Sequence, residues 1–189
     1  SFDSRHLDQG SLFVPLQGAQ DGHQYVPSAF TNGAVASLWA SDHEITDQTH
    51  PLLVVSDPLA ALQQLGKYYL HKINPIVVAV TGSNGKTIVK EWLYQLLSPD
   101  YVVTRSPRSY NSQIGVPLSI WGLWQQSQIG LFEAAISQPG AMTALQGLIQ
   151  PTLGVFTCLG QAHQENFHTM EEKCKEKIKL FCDAEAIIY

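Results

Sequence analysis

The stretch TGSNGKT, residues 81–87, has the residue types and spacing of a turn that holds phosphate. Gly82 and Gly85 permit a tight turn that brings backbone amides close to an anion. Ser83 and Asn84 keep the turn small and polar. Lys86 adds a mobile positive charge for phosphate oxygens, and Thr87 a hydroxyl suited to Mg²⁺. An apolar run, IVVAV (76–80), enters the turn, and an amphipathic segment leaves it from Lys86. A helix starting there would point its positive dipole end at the same spot. The competing reading is an ordinary glycine turn before a helix. The general P-loop carries a glycine five positions before Gly85, and Val80 stands there instead. The expectation is therefore a phosphate loop of a less common kind.

Other polar residues stand out from their surroundings. Glu133 interrupts the apolar run of LFEAAIS (131–137). A buried carboxylate is costly unless paired or bound to a metal, and a strand-end glutamate in solvent is the alternative. Lys177 lies in a helical pattern starting at Met170, where Cys174, Ile178 and Phe181 are expected to form one apolar stripe. At 100° per residue Lys177 falls about 20° from Met170, near the middle of that stripe. Such a lysine must be paired, deprotonated or chemically altered, or else snorkel to the helix edge. Lys175 and Lys179 are expected to face solvent. Near the amino terminus, Asp3, Ser4 and Arg5 form a polar opening, and arginine suits a bidentate grip on phosphate or carboxylate. A frayed terminus is the rival there.

Placing these residues requires alternating strands and helices. Strands are expected at 11–16, 34–40 and 51–56, with a helix near 25–31. A further helix begins after Asp57, which serves as its N-cap, with Pro58 at the first position. Leu59, Leu62, Leu65 and Tyr69 would form its apolar face. KINP (72–75) reads as a linker, because Pro75 disfavours helix at Asn74. Beyond it, strands at 76–80, 101–104, 131–137, 152–159 and 186–189 alternate with helices from 86, at 116–124, 141–149 and 169–182. In the helix from Lys86, the residues Val89, Trp92, Leu93, Leu96 and Leu97 are expected to form the apolar face. Apolar strands separated by amphipathic helices imply an α/β fold with a mostly parallel sheet covered on both faces. Such sheets bind ligands at the carboxyl ends of their strands, where the 81–87 turn falls. The reading gives a small α/β amino-terminal domain over 1–72, then an incomplete, mostly parallel P-loop-type α/β domain over 73–189. The opening SFDSRHL reads as mid-domain sequence, so the chain is expected to be a piece of something longer.

Composition narrows the function classes. The 189 residues are 44% apolar and 14% charged, which permits a packed core. A net charge of -5 gives no reason to expect nucleic acid as a partner. Three scattered cysteines without CxxC spacing read as reduced thiols in a cytosolic, hence cytoplasmic, protein. No apolar run is long enough for a membrane span.

The short form TGSNGKT resembles the Mur ligases and their folylpolyglutamate synthetase relatives, and three further segments agree in family order. FDSRHLDQGSLFVPLQGAQDGHQYVPSAFTNGA (2–34) resembles the amino-terminal domain, with its Asp-Ser-Arg opening and later Asp-Gly-His. YNSQIGVPLS (110–119) is similar to the Asn-Asn-x-Ile-Gly-x-Pro segment, and GQAHQENF (160–167) followed by KCKEKIKLF (173–181) to the metal-histidine loop and modified-lysine helix. The likeness favours the branch that adds D-alanyl-D-alanine to a UDP-N-acetylmuramoyl-tripeptide, including forms fused to an alanine racemase.

The resemblance implies an ATP-dependent ligase of peptidoglycan precursor synthesis that works through an acyl phosphate. Gly82, Ser83, Asn84, Gly85, Lys86 and Thr87 would bind ATP. Thr87, Glu133, His163 and a carbamylated Lys177 would place Mg²⁺, with Lys86, Lys177 and His163 as the catalytic set. Ser4, Arg5, Gly22, His23 and Asn111 would bind the UDP-N-acetylmuramoyl-tripeptide. D-alanyl-D-alanine would enter through a third domain that this chain is expected to lack, leaving the piece inactive alone. The sequence departs from the family pattern at Ile88, where a second threonine is usual, and at Ser109 and Ser112, where asparagines are common. A P-loop hydrolase or kinase could use the same turn, but would not need the Asp-Ser-Arg and Asp-Gly-His segments. A nucleotide-binding module without ligase activity is the third reading.

Overall fold

The computed structural model describes residues 1–45, 49–136, 138, 140–160, 167 and 169–189. They divide into two compact units, Ser1–Leu62 and Gln63–Tyr189. The division falls inside a helix, earlier than the expected boundary at 72.

The first unit holds β1 (Ser11–Phe13), a 3₁₀ turn (Gly22–Tyr25), α1 (Val26–Thr31), β2 (Ala34–Ala40) and β3 (Leu52–Val55). The three strands form a parallel sheet in the order β1-β2-β3. Phe13, Val26, Ala29, Ala34 and Trp39 form one cluster of its core, and Val14, Leu38 and Leu62 another.

Helix α2 runs Pro58–Ile73, with the Asp57 carboxylate accepting from the amide of Leu59 at 2.8 Å. Its expected apolar face is corrected at one position. Leu62 and Leu70 are buried but Leu65 is exposed, and it is Gly66 that lies beside Pro117, where a Cβ would make ordinary contact at 3.5 Å.

The second unit continues with β4 (Ile76–Thr81), α3 (Lys86–Leu97), β5 (Val103–Arg105), α4 (Gly115–Ile120), β6 (Ile129–Glu133) and α5 (Ala141–Ile149). Next come β7 (Leu153–Phe156), α6 (Met170–Ile178), a 3₁₀ turn (Lys179–Phe181) and β8 (Ala186–Ile188). The strands are all parallel, in the order β5-β6-β4-β7-β8. The alternation along β4 divides the core. Val77 and Ala79 face α4, α5 and the 179–181 turn through Ile120, Leu145, Leu148 and Phe181. Val78 and Val80 face α3 through Val89, Leu93 and Leu97.

Helix α3 corrects a second expectation. Trp92 and Leu96 are 62% and 72% exposed, while Val89, Leu93, Tyr94 and Leu97 pack on the sheet. The buried face is therefore turned toward the Lys90–Tyr94 side, which carries Lys90 into the interior at 0% exposure. β4 lies between β6 and β7, and the chain leaves it toward β5 on one side and returns to β7 on the other. The turn after β4 thus sits at the switch point where open parallel sheets bind ligands. No helix among the described residues is long and apolar enough to cross a membrane.

Candidate active site

The phosphate-type turn is pinned by backbone and hydroxyl contacts from the end of β7. The Ser83 amide donates to the Cys158 carbonyl at 2.8 Å, and its hydroxyl to the Gly160 carbonyl at 3.1 Å. The Thr157 hydroxyl donates to the Asn84 carbonyl at 2.6 Å. This closeness explains Gly82. Its φ is +149°, and an added Cβ would stand 2.0 Å from Thr157 Oγ1. Gly85 precedes α3 at φ 79° and has no side chain to cap it. The first-turn amides of α3 lack partners within the helix, so they are open to an anion.

Lys86 curls over the turn, donating to the carbonyls of Gly82 at 3.1 Å and Ser83 at 3.2 Å. Thr87, one residue on, donates its hydroxyl to Glu133 Oε2 at 2.8 Å. Glu133 is the last residue of β6 and is 1% exposed, which removes the solvated strand-end alternative. Its other oxygen accepts from Asn111 Nδ2 at 2.7 Å, and its amide donates to Ser106 Oγ at 3.3 Å. The parallel register sets Val80 opposite Glu133, so the carboxylate is carried to the mouth of the turn.

Lys177 is 3% exposed and donates to the Gly82 carbonyl at 3.1 Å. Burial, with Lys86 and Lys173 as nearby cations, lowers its pKa from 10.5 to about 8. Lys175 is exposed and paired with Glu171 at 2.6 Å. The apolar stripe expected around Lys177 is a correction: Ile178 is 47% exposed and Cys174 half-buried. The inward face of α6 is instead Lys173, Glu176 and Lys177, with Leu180 and Phe181 following. Sequence reasoning missed Lys173 and Glu176. Lys173 Nζ donates to the Gly160 carbonyl at 2.5 Å, and Glu176 accepts from the amide of Gly140 at 2.7 Å, just before α5. The available signal was spacing, since Lys173 stands one helical turn before Lys177. His163 lies outside the described residues.

The oxygen donors of Thr87 and Glu133 suit Mg²⁺, a hard cation that takes one or two carboxylates and leaves other positions to phosphate and water. Oε2 of Glu133 already lies at hydrogen-bond distance from the Thr87 hydroxyl, so the two oxygens are side by side.

In the first unit, Phe2, Asp3, Ser4, Arg5, Tyr25 and Ser28 line an open cavity of about 470 Å³. Arg5 makes a bidentate pair with Asp3, 2.9 Å at each contact, and holds that carboxyl well below the usual range. Gly22 and His23 are not among those lining residues. Gly22 is buried, where a Cβ would meet the Leu16 backbone at 2.6 Å. His23 has both ring nitrogens engaged, Nδ1 with Asp21 at 2.7 Å and Nε2 accepting the Ala40 amide at 3.0 Å. His43 stacks on it at 3.9 Å between Asp21 and Asp42, and those hydrogen bonds raise the His43 pKa.

Comparison with known proteins bears on this arrangement. The family described as "Mur ligase middle domain" matches residues 80–188. The chain is 35% identical over 179 residues to the UDP-N-acetylmuramoyl-tripeptide–D-alanyl-D-alanine ligase of Bacillus subtilis, covering 94% of this chain and 39% of that ligase. Its counterpart in Escherichia coli is 31% identical over 95% of this chain and 39% of its own length. Among solved structures, MurF from Acinetobacter baumannii superposes with a TM-score of 0.91 at 28% identity, over 99% of this chain and 42% of that one. MurF ligase from Thermotoga maritima in complex with ADP gives 0.88 at 30% identity, over 100% and 45%. The chain thus spans about two fifths of the length of the relatives it matches.

Proposed function

Since the chain belongs to the Mur ligase family, we propose that the protein is an ATP-dependent ligase joining D-alanyl-D-alanine to a UDP-N-acetylmuramoyl-tripeptide. The observation that carries this reading is the convergence at one strand end of the open α3 amides, Lys86, the Thr87–Glu133 pair and the buried Lys177. The relatives that match over nearly this whole chain bear the name of that ligase.

In the proposed reaction the muropeptide carboxylate attacks the γ-phosphorus of ATP, the bond to the β-bridging oxygen breaks, and ADP leaves. The resulting acyl phosphate is attacked by the amine of D-alanyl-D-alanine, and the tetrahedral intermediate expels phosphate as the amine loses its proton. Residues 82–87 would cradle the ATP phosphates, with Lys86 moving from its own turn's carbonyls onto phosphate oxygens. That movement places positive charge where negative charge gathers during transfer. Thr87 and Glu133 would hold Mg²⁺, joined by His163 and Lys177. Mg²⁺ when bound would neutralise phosphate charge. Asn111 would fix the rotation of the Glu133 carboxylate through its 2.7 Å hydrogen bond.

Lys177 would join the metal set only after carbamylation. Its neutral amine attacks CO₂, forms a C–N bond and loses a proton, so a cation becomes an anion. A pKa of about 8 leaves a usable share of neutral amine near neutral pH.

The first unit would bind the UDP part of the substrate through Ser4 and Arg5. Gly22 and His23 would act from behind, since both ring nitrogens of His23 are already held. A reaction built on ATP and a nucleotide-linked precursor would suit a cytoplasmic protein.

Phosphate release from the intact protein, with ATP, Mg²⁺, the muropeptide and D-alanyl-D-alanine supplied together or singly left out, tests the proposal. Release should require all of them, and Lys86→Ala should abolish it. Phosphate release that ignores both the muropeptide and the amine would instead favour the hydrolase reading.

A further inference from the structure

Among the described residues Lys90 is the most completely buried lysine of the second unit, and nothing in the reaction above uses it. It lies one turn beyond Thr87 on α3, at 0% exposure. Its ammonium donates to the carbonyls of Ser106 at 2.8 Å and Arg108 at 2.5 Å, and meets Glu91 Oε1 at 3.1 Å. Glu91 is held in turn by Arg105 at 2.9 Å, whose guanidinium lies 3.6 Å over the Tyr94 ring.

The carbonyls that Lys90 gathers belong to the loop after β5, and that loop reaches the site at three points. The Ser106 hydroxyl accepts the Glu133 amide at 3.3 Å. Ser109 Oγ lies 3.5 Å from Thr87 Oγ1. Asn111 donates to Glu133 at 2.7 Å. Between them Arg108 has φ 50°, a left-handed backbone that a side-chain-bearing residue seldom adopts. The buried Lys90 ammonium is bonded to the carbonyl of that same residue. An apolar side chain of the same length would fill the space with better solvation energetics, since a buried charge costs free energy unless fully paired.

We propose that Lys90 is a positioning residue: it folds the 106–111 loop so that Asn111 and Ser109 orient Glu133 and Thr87. Its action on metal placement rests on the nucleotide reading above, whereas its hold on the loop does not. The partners of the Lys90 ammonium are the Ser106 and Arg108 carbonyls and Glu91, so its reach to the site runs through the loop.

The test compares wild type, Lys90→Met, Arg108→Gly and the double variant in the intact protein. Amide hydrogen exchange reads the loop directly. Lys90→Met should exchange faster at residues 106–111 while the amides of residues 82–87 keep their protection. ATP affinity measured without Mg²⁺ should stay at the wild-type value. Turnover with Mg²⁺ should fall on the order of a hundredfold, the size expected for misplacement of about 1 Å, through kcat rather than the KM for ATP. Arg108→Gly alone should behave as wild type, and in the Lys90→Met background it should restore part of kcat, because glycine takes φ 50° without strain. If Lys90→Met does not fold, Lys90→Gln, whose amide keeps a donor, takes its place. Unchanged exchange at 106–111 in a folded variant overturns the proposal. So does equal loss of Mg²⁺-free ATP affinity and turnover that glycine at 108 does not relieve, since that pattern marks a general core residue. A wild type that binds no ATP but whose loop loosens in Lys90→Met defeats the nucleotide reading and leaves the hold on the loop standing.

Discussion

Lys86 and Lys177, 91 positions apart in the chain, donate to the same acceptor, the carbonyl of Gly82, at 3.1 Å each. Burial first, and then repulsion from Lys86 on the same carbonyl, makes the Lys177 ammonium yield its proton more readily, with its pKa lowered from 10.5 to about 8. The pair gives one carbonyl two roles. It restrains Lys86, the lysine proposed to bind nucleotide, and lines up Lys177, the amine proposed to be modified.

The lowered pKa has a stability consequence with a definite sign. Between about pH 8 and 10.5 the unfolded chain binds a proton at Lys177 that the folded chain does not. Stability from this group therefore rises with pH across that window, and below it the charged, buried amine is a liability. In CO₂-free buffer, Lys177→Met should be more stable than wild type at pH 7, and the gap should close by pH 10. Denaturant unfolding of the two proteins at both pH values checks this. A gap that widens with pH would contradict the burial of a titrating amine.

The two glycines of the phosphate turn should respond differently to alanine. At Gly82 a Cβ would collide with Thr157 Oγ1 at 2.0 Å, whereas at Gly85 the nearest atom is 3.9 Å away. Gly82→Ala should lose about 1–3 kcal/mol of stability from overpacking and φ strain together, and its ATP affinity with it. Gly85→Ala should lose about 1 kcal/mol from its positive φ alone. Thermal melts with and without ATP would measure both.

A third contrast tests the orientation of α3. Leu131 on β6 is 0% exposed and Trp92 on α3 is 62% exposed. Leu131→Ala should lose about 2–5 kcal/mol by leaving a cavity. Trp92→Ala should stay within about 0.5 kcal/mol of wild type, as surface changes do. Comparable losses from both, in urea unfolding, would mean that Trp92 belongs to the core.

What the sequence made legible follows from how strongly each feature is constrained. The 81–87 turn was readable because strand, glycines, lysine and helix start together permit few other structures. The parallel sheet was readable from continuous apolar strands such as 76–80, buried on both faces. The inward faces of α3 and α6 were misread because they carry charge. Lys90, Lys173 and Glu176 are buried by bonding backbone carbonyls and amides, and a hydrophobicity pattern assigns such residues to solvent, whereas helical spacing alone turns Lys177 inward. Trp92 and Leu96 then drew the expected face of α3 away from Lys90. The link from Glu133 to Thr87 joins residues 46 positions apart and depends on the β4–β6 register, which no local pattern encodes. His23 is saturated by Asp21 and Ala40, and the division of the chain falls inside α2.

The central claim is carboxylate activation at the 82–87 turn, and oxygen tracing tests it most directly. The intact protein is supplied with ATP, Mg²⁺, D-alanyl-D-alanine and a UDP-N-acetylmuramoyl-tripeptide labelled with ¹⁸O in its reacting carboxylate, and the released phosphate is examined by mass spectrometry. An acyl phosphate leaves one carboxylate oxygen on phosphate when the amine displaces it, so the account predicts labelled phosphate in step with amide formation. Unlabelled phosphate that takes its oxygen from water would contradict the account, because ATP would then be hydrolysed without activating the carboxylate.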